Sequence, residues 1–420
     1  MNRKSYRALV LLLLTIVYGF NFIDRQIVGI LAPFIQADLG LTNTQLGLLI
    51  GLAFAVLYTT VAIPIAWLAD KYNRVNILSI ALATWSGFTA LTGLANNFLQ
   101  IAIARMGVGI GEAGGSPPSH SIISDIFPPE RRASAMAFYS TGVNIGILFG
   151  FLLGGWLNEF FGWRVAFAVV GIPGILMAGV IRFTLKEPIR GLNENKIVSE
   201  ALVPFRDVIA LLWSRRSFRH MAFATGLNSF AAYATVNWQA SFFIRSHGMT
   251  TGELGTWLAV SSGLLGAIGV FGGGVLADKL APRDKRWYMW LPALVGFISL
   301  PFFIFSFLAS NQYLALTLGF VPGLLFNVYL GNTIATTHAL VGTRMRATAS
   351  AILFFTLNVI GLGLGPASIG ILSDYLAPTL GIESLRYAIV FLLPPVMAWS
   401  ACHFLLASRS LRADLAAAPD

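Results

Sequence analysis

Four ionisable residues stand where a lipid bilayer tolerates few: Asp24 and Arg25 inside the apolar run 8–36, and Arg105 and Glu112 inside the run 98–124. Each costs about 2.5 to 3.5 kcal/mol at a helix centre, so together they cost about 10 kcal/mol, comparable to the whole stability of a domain. They must face water, one another or a ligand. Two carboxylates beside two guanidinium groups can exchange protons, because altered water access or a changed arginine distance shifts the balance between the charged and neutral acid. The competing reading is a pair of structural salt bridges pinning the first span to the fourth. Desolvation offsets much of the attraction in such pairs, so stability alone is a weak reason to keep them.

Spacing sharpens the set. Arg105 and Glu112 are seven residues apart, which puts them on one helix face about 10 Å apart along the axis, and the stripe continues to Ser116 and Ser119. In the first span Tyr18 and Asn21 precede Arg25 by seven and four. Asp24 and Glu112 are therefore the candidate proton carriers, and Arg25, Arg105, Tyr18 and Asn21 the candidate substrate contacts or counter-charges. The second half of the chain offers only neutral groups at matching positions, namely Asn228, Thr235 and Gln239, then Tyr329, Asn332, Thr333 and Thr336. From these, Asn228, Thr235, Tyr329, Asn332 and Thr336 are expected to line a cavity; the alternative is hydrogen bonding between helices. His338 reads as an interfacial cap rather than a proton relay.

Enzymatic readings fail on context. The segment Gly109-Ile110-Gly111-Glu112-Ala113-Gly114 has the dinucleotide-binding spacing, but it lies inside an apolar helix with no strand before it. Ser119, His120, Ser121 and Asp125 are the residue types of a hydrolase triad, yet on one helix they point apart. No phosphate-binding loop motif occurs, and a single cysteine, Cys402, excludes an intramolecular disulfide and a multi-cysteine metal site. No enzyme, cofactor or metal is expected.

The elements that must position these residues are membrane helices. The chain is 56% hydrophobic and 11% charged over 420 residues, and twelve apolar runs approach or exceed the length of a bilayer span: 8–36, 44–69, 76–95, 98–124, 133–158, 165–185, 220–244, 253–277, 287–309, 313–340, 347–373 and 386–407. The basic N-terminal arm begins like a signal peptide, but its apolar run continues through Asp24 and Arg25 without a small-residue cleavage pattern, so a retained first span is expected. A net charge of +10 invites a nucleic-acid reading until the charges are assigned to loops. With both termini inside, inner segments hold 23 Lys and Arg and outer loops three, the other two being Arg25 and Arg105. That is the positive-inside distribution of a multi-pass protein with cytoplasmic termini, and no nucleic-acid partner is expected. Residues 1–190 form one predicted bundle, 191–219 a linker with a surface helix around Phe205 to Phe218, 220–408 a second bundle and 409–420 a cytoplasmic tail.

An internal echo supports the division, since Ala66 to Lys71 after the second span matches Gly274 to Lys279 after the eighth. The loop Asp70-Lys71-Tyr72-Asn73-Arg74 is similar to the signature loop of the major facilitator superfamily, departing from it at Ala66 and at Asn73, where a left-handed conformation is expected. Asn21-Phe22-Ile23-Asp24-Arg25, Arg105-x-x-x-Gly109-x-Gly111-Glu112-Ala113, the run from Asp125 through Arg132, and Tyr139 to Gly142 resemble the spinster-type transporters of bacteria within it. The resemblance implies two pseudo-symmetric bundles of six transmembrane helices, with the first, fourth, seventh and tenth spans lining a central cavity and all four buried charges facing water. It also implies an inner gate of Asp70, Arg74, Asp125, Arg131 and Asp278, with Asp70 capping the eleventh span near Thr348.

The resulting expectation is an all-α, twelve-span secondary transporter in a bacterial inner membrane, driven by protons and working by alternating access. The spinster-type resemblance implies as substrate an amphipathic small molecule or lipid of lysophospholipid or sphingoid type; protons and membrane lipids are the other expected partners, and the chain is expected to act as a monomer. The alternatives are proton symport of a small organic anion and, from another class, a membrane-embedded lipid hydrolase or a sensor. Glycines at 142, 146, 150 and 154 in the fifth span, with further glycines in the eighth and eleventh, are expected to form close-packed seams that bring the halves together.

Overall fold

The computed structural model describes residues 3–190, 204–342 and 345–419, so most of the predicted linker, 191–203, lies outside the described residues. Among them the chain is helical with no strand. It runs α1 (Arg3–Leu39), α2 (Asn43–Ile50), α3 (Leu52–Lys71), α4 (Arg74–Thr92), α5 (Phe98–Glu112), α6 (Ser116–Ile126) and α7 (Pro129–Thr184), then α8 (Phe205–Ser214), α9 (Arg216–His247) and α10 (Thr251–Leu258). There follow α11 (Leu265–Leu280), α12 (Trp287–Leu308), α13 (Gln312–Leu325), α14 (Tyr329–Ala339), α15 (Arg346–Thr356), α16 (Gly365–Leu380) and α17 (Ser384–Ala416).

Twelve spans emerge once breaks are taken into account. The second pairs α2 with α3, α7 holds the fifth and sixth on either side of Gly162, where φ is +79°, and the eighth and eleventh are continued through π-helical turns at Ala259–Leu264 and Leu357–Leu364. By length and apolarity alone only eight stretches of the described residues qualify, and two of them, Ser134–Thr184 and Thr348–Ala416, each hold two spans. The fourth and seventh spans do not qualify. The fourth carries Arg105 and Glu112, and the seventh carries Asn228 and Thr235.

The fourth span, expected as one helix, is two. After Glu112 the chain turns through Ala113, Gly114 and Gly115 and restarts at Ser116, because Pro117 and Pro118 have no N–H to continue the α5 ladder. Asn73 also departs from expectation. It is extended, with φ −63° and ψ 114°, and its side chain accepts from the Asn76 N–H at 2.8 Å to cap α4.

The chain divides into two compact units, residues 1–199 with 250–259, and 200–249 with 260–420. In unit 1 the glycine stripe of α7 packs against α1. A Cβ at Gly146 would meet the Gly19 carbonyl at 2.5 Å, and one at Gly142 the Thr15 carbonyl at 2.6 Å, so only glycine permits this backbone approach. In unit 2 a core of Phe218, Met221, Leu353, Leu357, Phe404 and Leu411 also takes in Val208 and Leu212 of α8, which anchors the predicted surface helix. Burying those two side chains contributes about 1.5 to 3 kcal/mol each.

Candidate functional site

Unit 1 gathers the four buried charges. Arg25 Nε lies 2.6 Å from Glu112 Oε2, which joins α1 to the last residue of α5. The rings of Phe22, Phe54 and Tyr58 surround the Arg25 guanidinium at 5.0, 5.0 and 4.5 Å from their centroids. Phe54 serves Arg105 as well, at 5.3 Å. Each ring presents its negative face to a cation removed from water, an attraction that strengthens with desolvation. Asn21 of α1 faces the same Glu112 carboxylate.

Asp24 is placed differently. It is 1% exposed, and neither carboxylate oxygen has a hydrogen-bond partner among the described residues. It faces Trp85 and Thr89 of α4 and has Arg105 and Glu112 in its electrostatic neighbourhood, but Trp85 Nε1 and Thr89 Oγ1 are themselves unpartnered. Arg105 leaves Nε and Nη1 without an acceptor. One side of the cluster is therefore an ion pair in which Glu112 Oε1 keeps no hydrogen-bond partner among the described residues, and the other is a carboxylate and a guanidinium with unmet hydrogen-bonding capacity.

A small-residue contact makes the closeness possible. A Cβ at Gly111 would fall 2.5 Å from Trp85 N, so α5 can lie against α4 only with glycine there. For three of the four charges the expected exposure to water is corrected by the packing: Asp24, Arg105 and Glu112 are at most 2% exposed, because Phe54, Trp85 and the close helix contacts exclude solvent, while the Arg25 side chain stays partly exposed. Tyr18 stacks on Tyr139 with centroids 4.5 Å apart, and His120, itself exposed, meets Tyr139 edge-on. The aromatic box is what the sequence reading missed. Phe54 and Tyr58 are one turn apart in an apolar run, a spacing that was visible but indistinguishable from lipid-facing filler.

At one end of unit 1, Arg74 is 1% exposed and bound on several sides. It donates to Asp125 Oδ2 at 2.5 Å, Glu187 Oε1 at 2.6 Å, Ser121 Oγ at 2.7 Å and the Pro188 carbonyl at 2.9 Å. Arg190 donates to the carbonyls of Ala69, Asp70 and Tyr72, closing the C-terminus of α3. Glu187 and Arg190 were not singled out from the sequence, since both lie past the end of the apolar run 165–185. Of the expected gate residues, Arg74 and Asp125 are brought together. Arg131 is exposed and makes no side-chain bond among the described residues. Asp70 is also exposed, and Asp278 of unit 2 accepts from Tyr288 Oη at 3.3 Å.

In unit 2 the neutral candidates are largely committed to the protein. Asn228 Nδ2 donates to the Phe326 carbonyl at 2.9 Å, across the break between α13 and α14. Thr235 Oγ1 bonds the Ala231 carbonyl and Asn332 Nδ2 the Val328 carbonyl, each one turn back on its own helix. Tyr329 is 6% exposed beside Tyr233, Ser229 and Asn228, while Thr336 Oγ1 has no partner. Gln239 reaches Ser262 Oγ at 3.4 Å, and His338 Nε2 meets Ser350 Oγ at 2.7 Å, which ties α14 to α15.

Twelve helical spans that bury partly unpaired charge are the frame of a membrane carrier. The sequence profile of the Major Facilitator Superfamily matches residues 14–366, and the chain belongs to that superfamily. It is 30% identical to an MFS-type efflux pump of Mycolicibacterium smegmatis over 96% of this chain and 92% of that one. To the hexuronate transporter of Bacillus subtilis it is 25% identical over 87% of each chain. Among solved structures it resembles a bacterial homolog of the human lysosomal transporter Spinster in an inward-facing, unoccupied conformation, with a TM-score of 0.87 and 31% identity over 98% of both chains. The protein is a membrane-spanning transporter and not an enzyme.

Proposed function

We propose that the protein couples proton movement to transport of an amphipathic, lipid-like substrate of lysophospholipid or sphingoid type by alternating access. The observation that carries the proton reading is Asp24, a carboxylate buried at mid-span with no hydrogen-bond partner. A bare ionised carboxylate is costly in so apolar a setting, and taking up a proton removes that cost, so its occupancy can follow the water access that conformational change supplies. Glu112 exchanges its proton against Arg25, whose ion pair must loosen for the acid to be protonated. Arg105, with two unsatisfied donors, offers a phosphate or carboxylate headgroup a charge-assisted fork. Unit 2 supplies the neutral wall, through Asn228, Thr235, Tyr329, Asn332 and Thr336.

The bundles 1–190 and 220–408, the linker 191–219 and the tail 409–420 are the working parts of this proposal. Both termini are cytoplasmic in it, in a bacterial inner membrane, and the chain acts as a monomer. Asp70, Arg74, Asp125 and Asp278 form the inner gate, reinforced by Glu187. The second reading, proton symport of a small organic anion, is favoured by the resemblance to the hexuronate transporter and by the same free donors of Arg105.

Flux into proteoliposomes under an imposed pH gradient tests the coupling, and a homologous acyl series tests the substrate. Affinity rising by about 0.8 kcal/mol per methylene supports the lipid. Indifference to chain length rejects the lipid in favour of the compact anion, and flux independent of the pH gradient rejects proton coupling.

A further inference from the structure

Phe205, Ile209 and Trp213 stand one turn apart along α8 and are 60%, 38% and 63% exposed. Val208 and Leu212 of the same helix are buried in the unit 2 core. At about 100° per residue the buried pair and the exposed trio occupy adjacent faces, Arg206 borders the exposed stripe, and Asp207 falls on the far side. A helix with one apolar face in protein and another uncovered needs a second apolar medium. For a chain that crosses a bilayer, that medium is the membrane interface.

Past the extended Arg215 that separates α8 from α9, the chain turns cationic. Arg216 and Arg219 begin α9 three and six residues after Trp213; like Arg206 they are exposed, and none of the three makes an ion pair among the described residues. One turn beyond Arg216, His220 Nδ1 lies 3.0 Å from His403 Nδ1 of α17, both rings half-buried. In the neutral pair one ring donates through Nδ1, so the other keeps its proton on Nε2 as a donor.

We infer that this face of unit 2 binds an anionic phospholipid of the leaflet it borders, with the acyl chain along Phe205, Ile209 and Trp213 and the phosphate on Arg216 and Arg219. Unopposed guanidinium groups select net negative charge, whereas a zwitterionic headgroup brings its own cation into the same field. The site is independent of the transport reading, since it shares no residue with the buried charge cluster of unit 1.

Native mass spectrometry of the full chain, equilibrated with equal amounts of phosphatidylglycerol and phosphatidylcholine bearing identical acyl chains, tests it. The expected result is preferential retention of phosphatidylglycerol, reduced about fivefold by each arginine replaced with glutamine. Arg216→Lys with Arg219→Lys keeps most of the preference, while Trp213→Ala lowers retention of both lipids alike. Equal retention of the two lipids by the unaltered chain overturns the inference without requiring any variant to fold. So does a preference that survives Arg216→Gln with Arg219→Gln, or retention indifferent to Trp213→Ala.

Discussion

The two units have parallel architecture and opposite electrostatics. Unit 1 buries Asp24, Arg105 and Glu112 with Arg25 and leaves several of their atoms unpartnered, whereas unit 2 fills its matching spans with amides and hydroxyls that mostly bond within the unit. A satisfied neutral network is a low-energy resting arrangement. An incompletely satisfied charged one stores a difference that protonation or a ligand can discharge. In the proposed mechanism chemistry therefore concentrates in unit 1, with unit 2 as its scaffold.

The largest test removes Arg25. Arg25→Ala leaves Glu112 buried beside an empty aromatic box, and stability should fall by about 3 to 5 kcal/mol, read as reduced thermal stability in detergent; a loss below 1 kcal/mol would place the pair on the same footing as the polar residues of unit 2. Next in size, Asp24→Asn mimics a permanently protonated acid. It should leave binding measurable while flattening the pH response of flux between about pH 5 and 8, and a preserved wild-type profile would make Asp24 structural.

Arg74→Ala leaves Asp125 and Glu187 without their shared cation and should favour the inward-open population by about 1 kcal/mol, roughly fivefold. Distances between spin labels at the two ends of the bundle report that shift, and an unchanged distribution argues against a gate. In unit 2, Asn228→Ala removes one interhelical bond and should cost only about 0.6 kcal/mol; transport abolished with the fold intact would show that the neutral wall does more than scaffold.

The smallest expected effect lies outside the membrane. The carboxylate of Asp284 is held down to about 2 by the Arg286 side chain foremost, with further help from the Arg286 N–H and Arg412. A depressed acid contributes stability above its ordinary value near 4 and loses it as pH falls toward 2. Asp284→Asn should therefore differ slightly from the unaltered protein at neutral pH and converge with it in that acid window, as read by thermal unfolding.

Several parts of this organisation were legible in the residue order. Bilayer thickness fixes span length, so twelve apolar runs imply twelve crossings, and the cost of buried charge marks Asp24, Arg25, Arg105 and Glu112 without any knowledge of packing. Helical periodicity also predicted that Arg105 and Glu112 share a face, which the unbroken α5 preserves. What could not be read was the break at Ala113 to Gly115, since the same glycines and prolines are tolerated inside continuous membrane helices.

Tertiary structure alone decided the pairing. Glu112 finds Arg25 across 87 residues of sequence, and Asp24, adjacent to Arg25 in the chain, points instead toward Trp85 and Thr89. Neighbours on a helix diverge by about 100°, so which of them meets a partner depends on how α1, α4 and α5 rotate against one another. That rotation is set by contacts such as Gly111 on Trp85 and Gly146 on Gly19, where the absence of a side chain fixes the approach. The sequence by itself determined which charges stand inside apolar runs; only the packing determined which of them are shut off from water, which is paired and which is left open, because pairing is a property of facing surfaces rather than of any one helix.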